Sequence, residues 1–278
     1  MQFVMHSYTF RGYALEYAMR CAERFGYDGI ELQPCHFNPA DLPNELPNAL
    51  EISGRFRVPI TCVDWSGDFI HDDPKVVEES VQLMEQYIDL CAGQNIRLLN
   101  GCPGWLSDGT DDYGRNGSSM AHDKHYDRAA EAFRHLGKYA GEGGVTIVFE
   151  IHMNALTDTI ASTAKLLDMI GSDFVKANPD PGNMFVTSTA ERDPESLDRL
   201  EGRIGYFHLK NCVDLGGRHD FSVKLADGHI NTHRWIEKAL RMGYDGPICV
   251  EFCGEGDPHA AAMADNAYIR QVVDWCLG

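Results

Sequence analysis

Four residues able to hold a hard cation close short apolar or β-branched runs in this chain. Glu150 ends Val145-Thr-Ile-Val-Phe-Glu150, Asp180 ends Phe174-Val-Lys-Ala-Asn-Pro-Asp180, His208 ends Ile204-Gly-Tyr-Phe-His208, and Glu251 ends Ile248-Cys-Val-Glu251. Taken singly, each has a bland reading. An Asp before Pro-Gly is commonly a helix cap, a Glu at a strand end a solvated group, and a His in an apolar run a satisfied core residue. Taken together, three carboxylates and one imidazole delivered by four successive strands to one rim form a cage for a divalent ion. The chemistry this predicts is metal-assisted and sits in the mouth of a barrel.

The elements that must position them alternate along the whole chain. Strand-like runs also cover Phe3–His6, Gly29–Leu32, Pro59–Val63 and Ile96–Leu99, making eight with the four above. Helical patterns intervene at Ala14–Phe25, Pro74–Ala92, Tyr126–Gly141, Thr159–Ile170, Pro194–Leu200, Thr232–Met242 and His259–Cys276. Alternating strands and helices predict a parallel sheet, and eight units in 278 residues fit a single-domain α/β chain, 1–278, folded as a (β/α)8 TIM barrel, which needs about 250 residues. The segment Arg24-Phe-Gly-Tyr-Asp-Gly recurs as Arg241-Met-Gly-Tyr-Asp-Gly. Each copy predicts a helix ended by a left-handed Gly and a turn into the next strand. The long irregular stretch from Gly101 to His122 is expected to form a lid or substrate wall on the same rim, or else a surface excursion.

Bulk composition narrows the function. Lys plus Arg total 24 against 42 Asp plus Glu, a formal charge of −18. Such a surface opposes nucleic-acid phosphates and anionic membranes. No window approaches the roughly 20 apolar residues of a membrane span, and the start shows no basic and apolar signal-peptide regions. The nine cysteines are scattered without a Cys-x-x-Cys pair, so the expectation is a reduced cytoplasmic protein. No G-x-G-x-x-G follows the first strand, which argues against a dinucleotide fold.

Phe149-Glu-Ile-His152, Asn178-Pro-Asp-Pro-Gly182, Phe207-His-Leu-Lys210 and Gly243-Tyr-Asp-Gly-Pro-Ile-Cys-Val-Glu251 resemble the signature blocks of the xylose-isomerase-like barrel superfamily. The branch they resemble is the sugar phosphate isomerase/epimerase group that includes ketose 3-epimerases. The resemblance implies Glu150, Asp180, His208 and Glu251 as metal ligands, Glu150 and Glu251 as the acid/base pair, Lys210 at the pocket rim, and a dimer or tetramer. Many relatives carry a His three residues after the aspartate, where this chain has Asn183, so substrate handling is expected to differ. Asp158 is the stand-in for a glutamate of the ketose epimerases.

The donor set favours one Mn²⁺-class ion, with Mg²⁺, Co²⁺ and Zn²⁺ as alternatives. Such an ion polarises a ketone so that a carboxylate can remove the proton alpha to it, giving an enediolate. Reprotonation makes the chain a sugar isomerase or epimerase. Loss of a group from the next carbon makes it a lyase: a dehydratase of a keto-cyclitol or keto-sugar, or an enzyme of 3-keto-glycoside β-elimination. The substrate expected is a small sugar or keto-sugar. Further candidates for substrate contact are His6, Trp65, His152, Asn183, Lys210 and Arg218. A remote alternative is an apurinic-site endonuclease, suggested by Asp227-Gly-His229 but opposed by Asp64-Trp65 and Asn100 at the ends of strands three and four. A metal-stabilised sugar-binding subunit is the non-enzymatic alternative.

Overall fold

The computed structural model describes residues 1–278. The first half runs β1 (Phe3–His6), α1 (Leu15–Phe25), β2 (Gly29–Leu32), α2 (Leu42–Ser53), β3 (Ile60–Asp64), α3 (Pro74–Gly93), β4 (Leu98–Gly101) and α4 (Asp123–Gly143). The second half continues with β5 (Thr146–Glu150), α5 (Ile160–Ile170), β6 (Val175–Asn178), α6 (Pro181–Thr187), β7 (Phe207–Leu209), the short hairpin β8 (Val213–Asp214) and β9 (His219–Asp220), α7 (Thr232–Arg241), β10 (Ile248–Val250) and α8 (Pro258–Leu277).

Eight parallel strands pair in the order β6-β5-β4-β3-β2-β1-β10-β7. The seam between β6 and β7 is drawn shut by Gly205 N–H to Ala177 O (2.9 Å) and His208 N–H to Pro179 O (3.0 Å). The result is a nearly closed (β/α)8 barrel, as the alternation predicts.

Side chains on a strand alternate between two faces. Ile30, Leu32, Val63, Leu99, Ile147 and Phe149 join the main core beneath the helices. The opposite set, Val4, Cys62, Val148, Tyr206 and Cys249, packs as a separate apolar cluster inside the barrel. Two residues further along most of these strands stand His6, Asp64, Glu150, His208 and Glu251. The interior therefore turns from apolar to charged toward the C-terminal ends of the strands, where sites form in this fold.

Both copies of the Gly-Tyr-Asp-Gly segment close a helix as expected, with Gly26 at φ 78° and Gly243 at φ 81°. Three elements differ from the sequence reading. α2 is not among the helical patterns read from the sequence; Pro43 stands in its first turn, where the missing N–H costs nothing, and Pro47 lies inside the helix. Pro194–Leu200 winds as a 3₁₀-helix rather than an α-helix. The seven-residue α6 was likewise not anticipated.

The Gly101–His122 stretch docks through its first residues on the segment after β5, and Gly101, Cys102 and Trp105 line a cavity at the C-terminal rim. Trp105 bridges antiparallel to Ala155, Leu106 N–H donates to Asn154 O (2.8 Å), and Leu156 N–H donates to Gly104 O (2.9 Å).

Candidate metal centre

Asp180 lies two residues beyond β6 and serves as the N-cap of α6. Its Oδ1 accepts from Gly182 N–H (2.8 Å) and Asn183 N–H (3.3 Å). That duty fixes the carboxylate and leaves Oδ2 to face Lys210 Nζ (3.2 Å) and the Asn183 amide (3.1 Å). Gly182 permits the approach: a Cβ there would lie 2.3 Å from Lys210 Cγ. Glu150 ends β5, His208 lies within β7, and Glu251 follows β10 directly.

One donor atom from each of Glu150, Asp180, His208 and Glu251 lies within 4.8 Å of the others. His208 explains how an imidazole can take part. Its Nε2 is 2.8 Å from Glu31 Oε2, which places the proton on Nε2 and leaves the Nδ1 lone pair free. Nδ1 is buried without any hydrogen-bond partner and stands 3.7 Å from Glu150 Oε1. An orphaned buried acceptor beside three carboxylates fits a divalent cation, and a carboxylate behind the histidine is the usual support for such a ligand.

Lys210 is the counter-charge already present. Its ammonium lies 2.7 Å from Glu251 Oε2 as well as 3.2 Å from Asp180. Burial alone would depress its pKa, but Asp180 and Glu251 outweigh that and hold it well above the ordinary lysine value. Burial works against ionised Glu150, yet the neighbouring His208, with His152 and Lys210, keeps it well below the usual range. Burial opposes ionised Glu251 in the same way, and Lys210 and His6 overcome it. At Asp180 burial prevails and the pKa rises in spite of Lys210.

Above the cluster opens a cavity of about 260 Å³ lined by His6, Asp64, Trp65, Asn100, Trp105, Glu150, His152 and Glu251 among others. Three of the sequence candidates for substrate contact, His6, Trp65 and His152, therefore share a cavity with the two glutamates. Burial would lower the His6 pKa, but Glu31, Glu251 and Asp64 together push it up to about 9.

Asn183 and Lys210 sit beneath the cavity and tether its carboxylates; Asn183 Nδ2–H donates to Glu150 Oε1 at 2.8 Å. Arg218 is not among the residues lining the cavity: it is exposed at the tip of the β8–β9 hairpin. Asp158 packs beside Ser162 outside the cavity. Asp227 pairs with Lys224 (3.1 Å), and His229 Nδ1 accepts from Asp214 N–H (3.1 Å), so neither joins the four-residue cluster.

Sequence reasoning missed the polar layer under the cage. Asn100 Nδ2–H donates to Glu31 Oε1 (3.0 Å) and Asp64 Oδ1 (3.1 Å), while Asn178 Nδ2–H donates to Asn100 Oδ1 (2.9 Å). Asn178 Oδ1 in turn accepts from the His208 backbone N–H at 2.9 Å. Glu31, Asn100 and Asn178 are each fully buried. The available signal was a lone acid or amide within a short apolar strand, as in Gly29-Ile-Glu-Leu32.

A family model described as xylose isomerase-like TIM barrel matches residues 19–276, and the chain belongs to that family. An inosose dehydratase of Bacillus cereus (strain AH820) is 33% identical over 153 residues, 50% of this chain and 50% of its own length. The chain thus spans about half the length of that curated relative in the match. Among solved structures, an L-ribulose 3-epimerase superposes with a TM-score of 0.81 at 18% identity, over 99% of this chain and 95% of its own. The IOLI protein, whose crystal structure holds a bound zinc atom, gives a TM-score of 0.79 at 16% identity over 98% of both chains. At these identities the two structures speak for the fold.

Proposed function

We propose that this chain is a divalent-metal-dependent enzyme that removes the proton alpha to the carbonyl of a sugar or other polyhydroxylated ketone, working as an isomerase or epimerase. The observation that carries this reading is a division of labour within the cluster. Asp180 and His208 are wholly buried, whereas Glu150 and Glu251 keep 12% and 11% of their side chains exposed and line the cavity.

Glu150, Asp180, His208 and Glu251 would hold the ion, and three oxygen donors to one nitrogen favour Mn²⁺ or Mg²⁺ over Zn²⁺ and Co²⁺. When bound, the ion supplies Lewis-acid polarisation of the ketone and stabilises charge developing on its oxygen. The chain's own residues do the rest. Asn183 holds Glu150 by Oε1 and Lys210 holds Glu251 by Oε2, each leaving the second oxygen less encumbered. One glutamate takes the proton and the other returns it, with positioned groups of this kind contributing about 10²–10⁴-fold. Trp65 closes one side of the cavity as an apolar wall, packed on Phe69 and Phe133.

A second reading, elimination of water from a keto-cyclitol or keto-sugar, is favoured by the sequence likeness to the inosose dehydratase. It needs the same first proton transfer. Incubating the metal-loaded protein in D₂O with a panel of ketohexoses and an inosose tests both. An epimer carrying one deuterium supports the first reading, and a dehydrated product supports the second. The absence of both deuterium incorporation and a dehydrated product with every substrate and divalent ion sinks the shared proton abstraction.

A further inference from the structure

A second cavity, about 140 Å³, lies on the far side of α6 from the cage and is lined by Pro181, Phe185, Arg192, His229, Asn231, Arg234 and Trp235 among others. Pro181 and Phe185 stand one turn apart and so share a helix face, while Asn183, midway between them, turns to Glu150 and Asp180. The two cavities are separated by α6 and share no lining residue.

Its polar side chains are donors. Arg192 is held rigid, its guanidinium stacked 3.9 Å from the Phe185 ring centroid and its Nε–H donated to Phe185 O at 2.9 Å. Arg234 reaches in from the first turn of α7. Each guanidinium has one loose ion pair outside the lining, Arg192 with Asp214 at 3.9 Å and Arg234 with Asp193 at 3.7 Å, both longer than a hydrogen bond. His229 accepts at Nδ1 from Asp214 N–H, so its proton sits on Nε2, a donor. Asn231 caps α7 through Oδ1 (3.2 Å to Arg234 N), which leaves its NH₂ group to donate.

The positive end of the ten-residue α7 adds to this field. In a chain of net charge −18, no carboxylate lines this cavity. A lining with two guanidiniums whose ion pairs are too long to be hydrogen bonds, further N–H donors and no carboxylate suits a ligand made of acceptors.

We infer that this cavity is an oxyanion site, taking a phosphate or sulfate group as a free ion or as the phosphoryl end of a small metabolite. Its volume is ample for one tetrahedral group.

The test is calorimetric titration of the metal-loaded, full-length protein with inorganic phosphate, sulfate and glycerol 3-phosphate. Arg192→Gln and Arg234→Gln serve as variants, with folding checked by circular dichroism. Saturable one-site binding that weakens about tenfold or more in each variant is expected, since each removes a charge-assisted hydrogen bond. Tighter binding of the phosphomonoester marks a metabolite, and equal or tighter binding of the inorganic ions marks a free anion; both outcomes sustain the site. No saturable binding overturns it. So does binding that survives both arginine substitutions but disappears in Glu150→Gln, because that places the anion at the metal cage.

Discussion

Glu31→Gln is the substitution that most sharply probes how the cage is built. Glu31 is fully buried, accepts from His208 Nε2–H at 2.8 Å and from Asn100 Nδ2–H at 3.0 Å, and does not itself line the cavity. Its direct contact with the four-residue cluster is His208, which it serves by orienting the ring, fixing its tautomer and lending negative charge behind the ligand. Glutamine keeps the shape and one acceptor oxygen, so the ring is still held, but the charge is gone. Supporting carboxylates of this kind are worth about 10–100-fold in metal affinity, which corresponds to about 1.4–2.7 kcal/mol. Calorimetric titration of Mn²⁺ into the chelator-treated protein and its variant reads this directly. Affinity unchanged within twofold would refute the argument that Glu31 works through the imidazole.

Lys210→Met strips the ammonium from between Asp180 and Glu251. The metal-free variant should lose about 3–5 kcal/mol, the usual cost of an orphaned buried charge, while Mn²⁺ should raise its melting temperature more than it raises that of the wild type. Equal metal-induced shifts would contradict the role given to Lys210. Glu150→Gln and Glu251→Gln should each slow solvent deuterium uptake into substrate by at least about 10²; a variant retaining near-normal exchange is not carrying the proton.

Asp265 is buried, accepts from Leu225 N–H at 2.8 Å, and has its pKa lifted by burial from 3.8 to about 7. The folded state therefore binds its proton more tightly than the unfolded chain. The stability this confers is fully present below pH 3.8 and is lost as pH rises through about 7. Asp265→Asn keeps an acceptor for Leu225 and removes the titration, so denaturant melts should show it gaining on the wild type between pH 5 and 8, by at most a few kcal/mol. A constant difference across that range would refute the assignment.

The barrel was legible because its strands end at turn residues and its apolar runs recur with helices between them. The four cage residues were legible because each stands at or beside the end of such a run, although Asp180 proves to be a helix cap past β6 rather than a strand terminus. What stayed hidden depends on contacts across the barrel. Glu31 and His208 lie 177 residues apart, and nothing local in Gly29-Ile-Glu-Leu32 says that its acid points at an imidazole. In the sequence Asn100 counted only against the endonuclease alternative, whereas in the fold its amide ties Glu31 and Asp64 together. Arg218 follows strand seven in sequence, but the β8–β9 turn leaves it exposed and outside the cavity lining.

The central claim is that Glu150, Asp180, His208 and Glu251 grip one divalent ion. Anomalous diffraction from Mn²⁺-loaded crystals, with metal content measured on the same protein, tests it most directly. The account predicts one ion per chain, within bonding distance of a carboxylate oxygen from each of the three acids and of His208 Nδ1. No peak there, or a peak held instead by His6, Glu31 and Asp64, would contradict it.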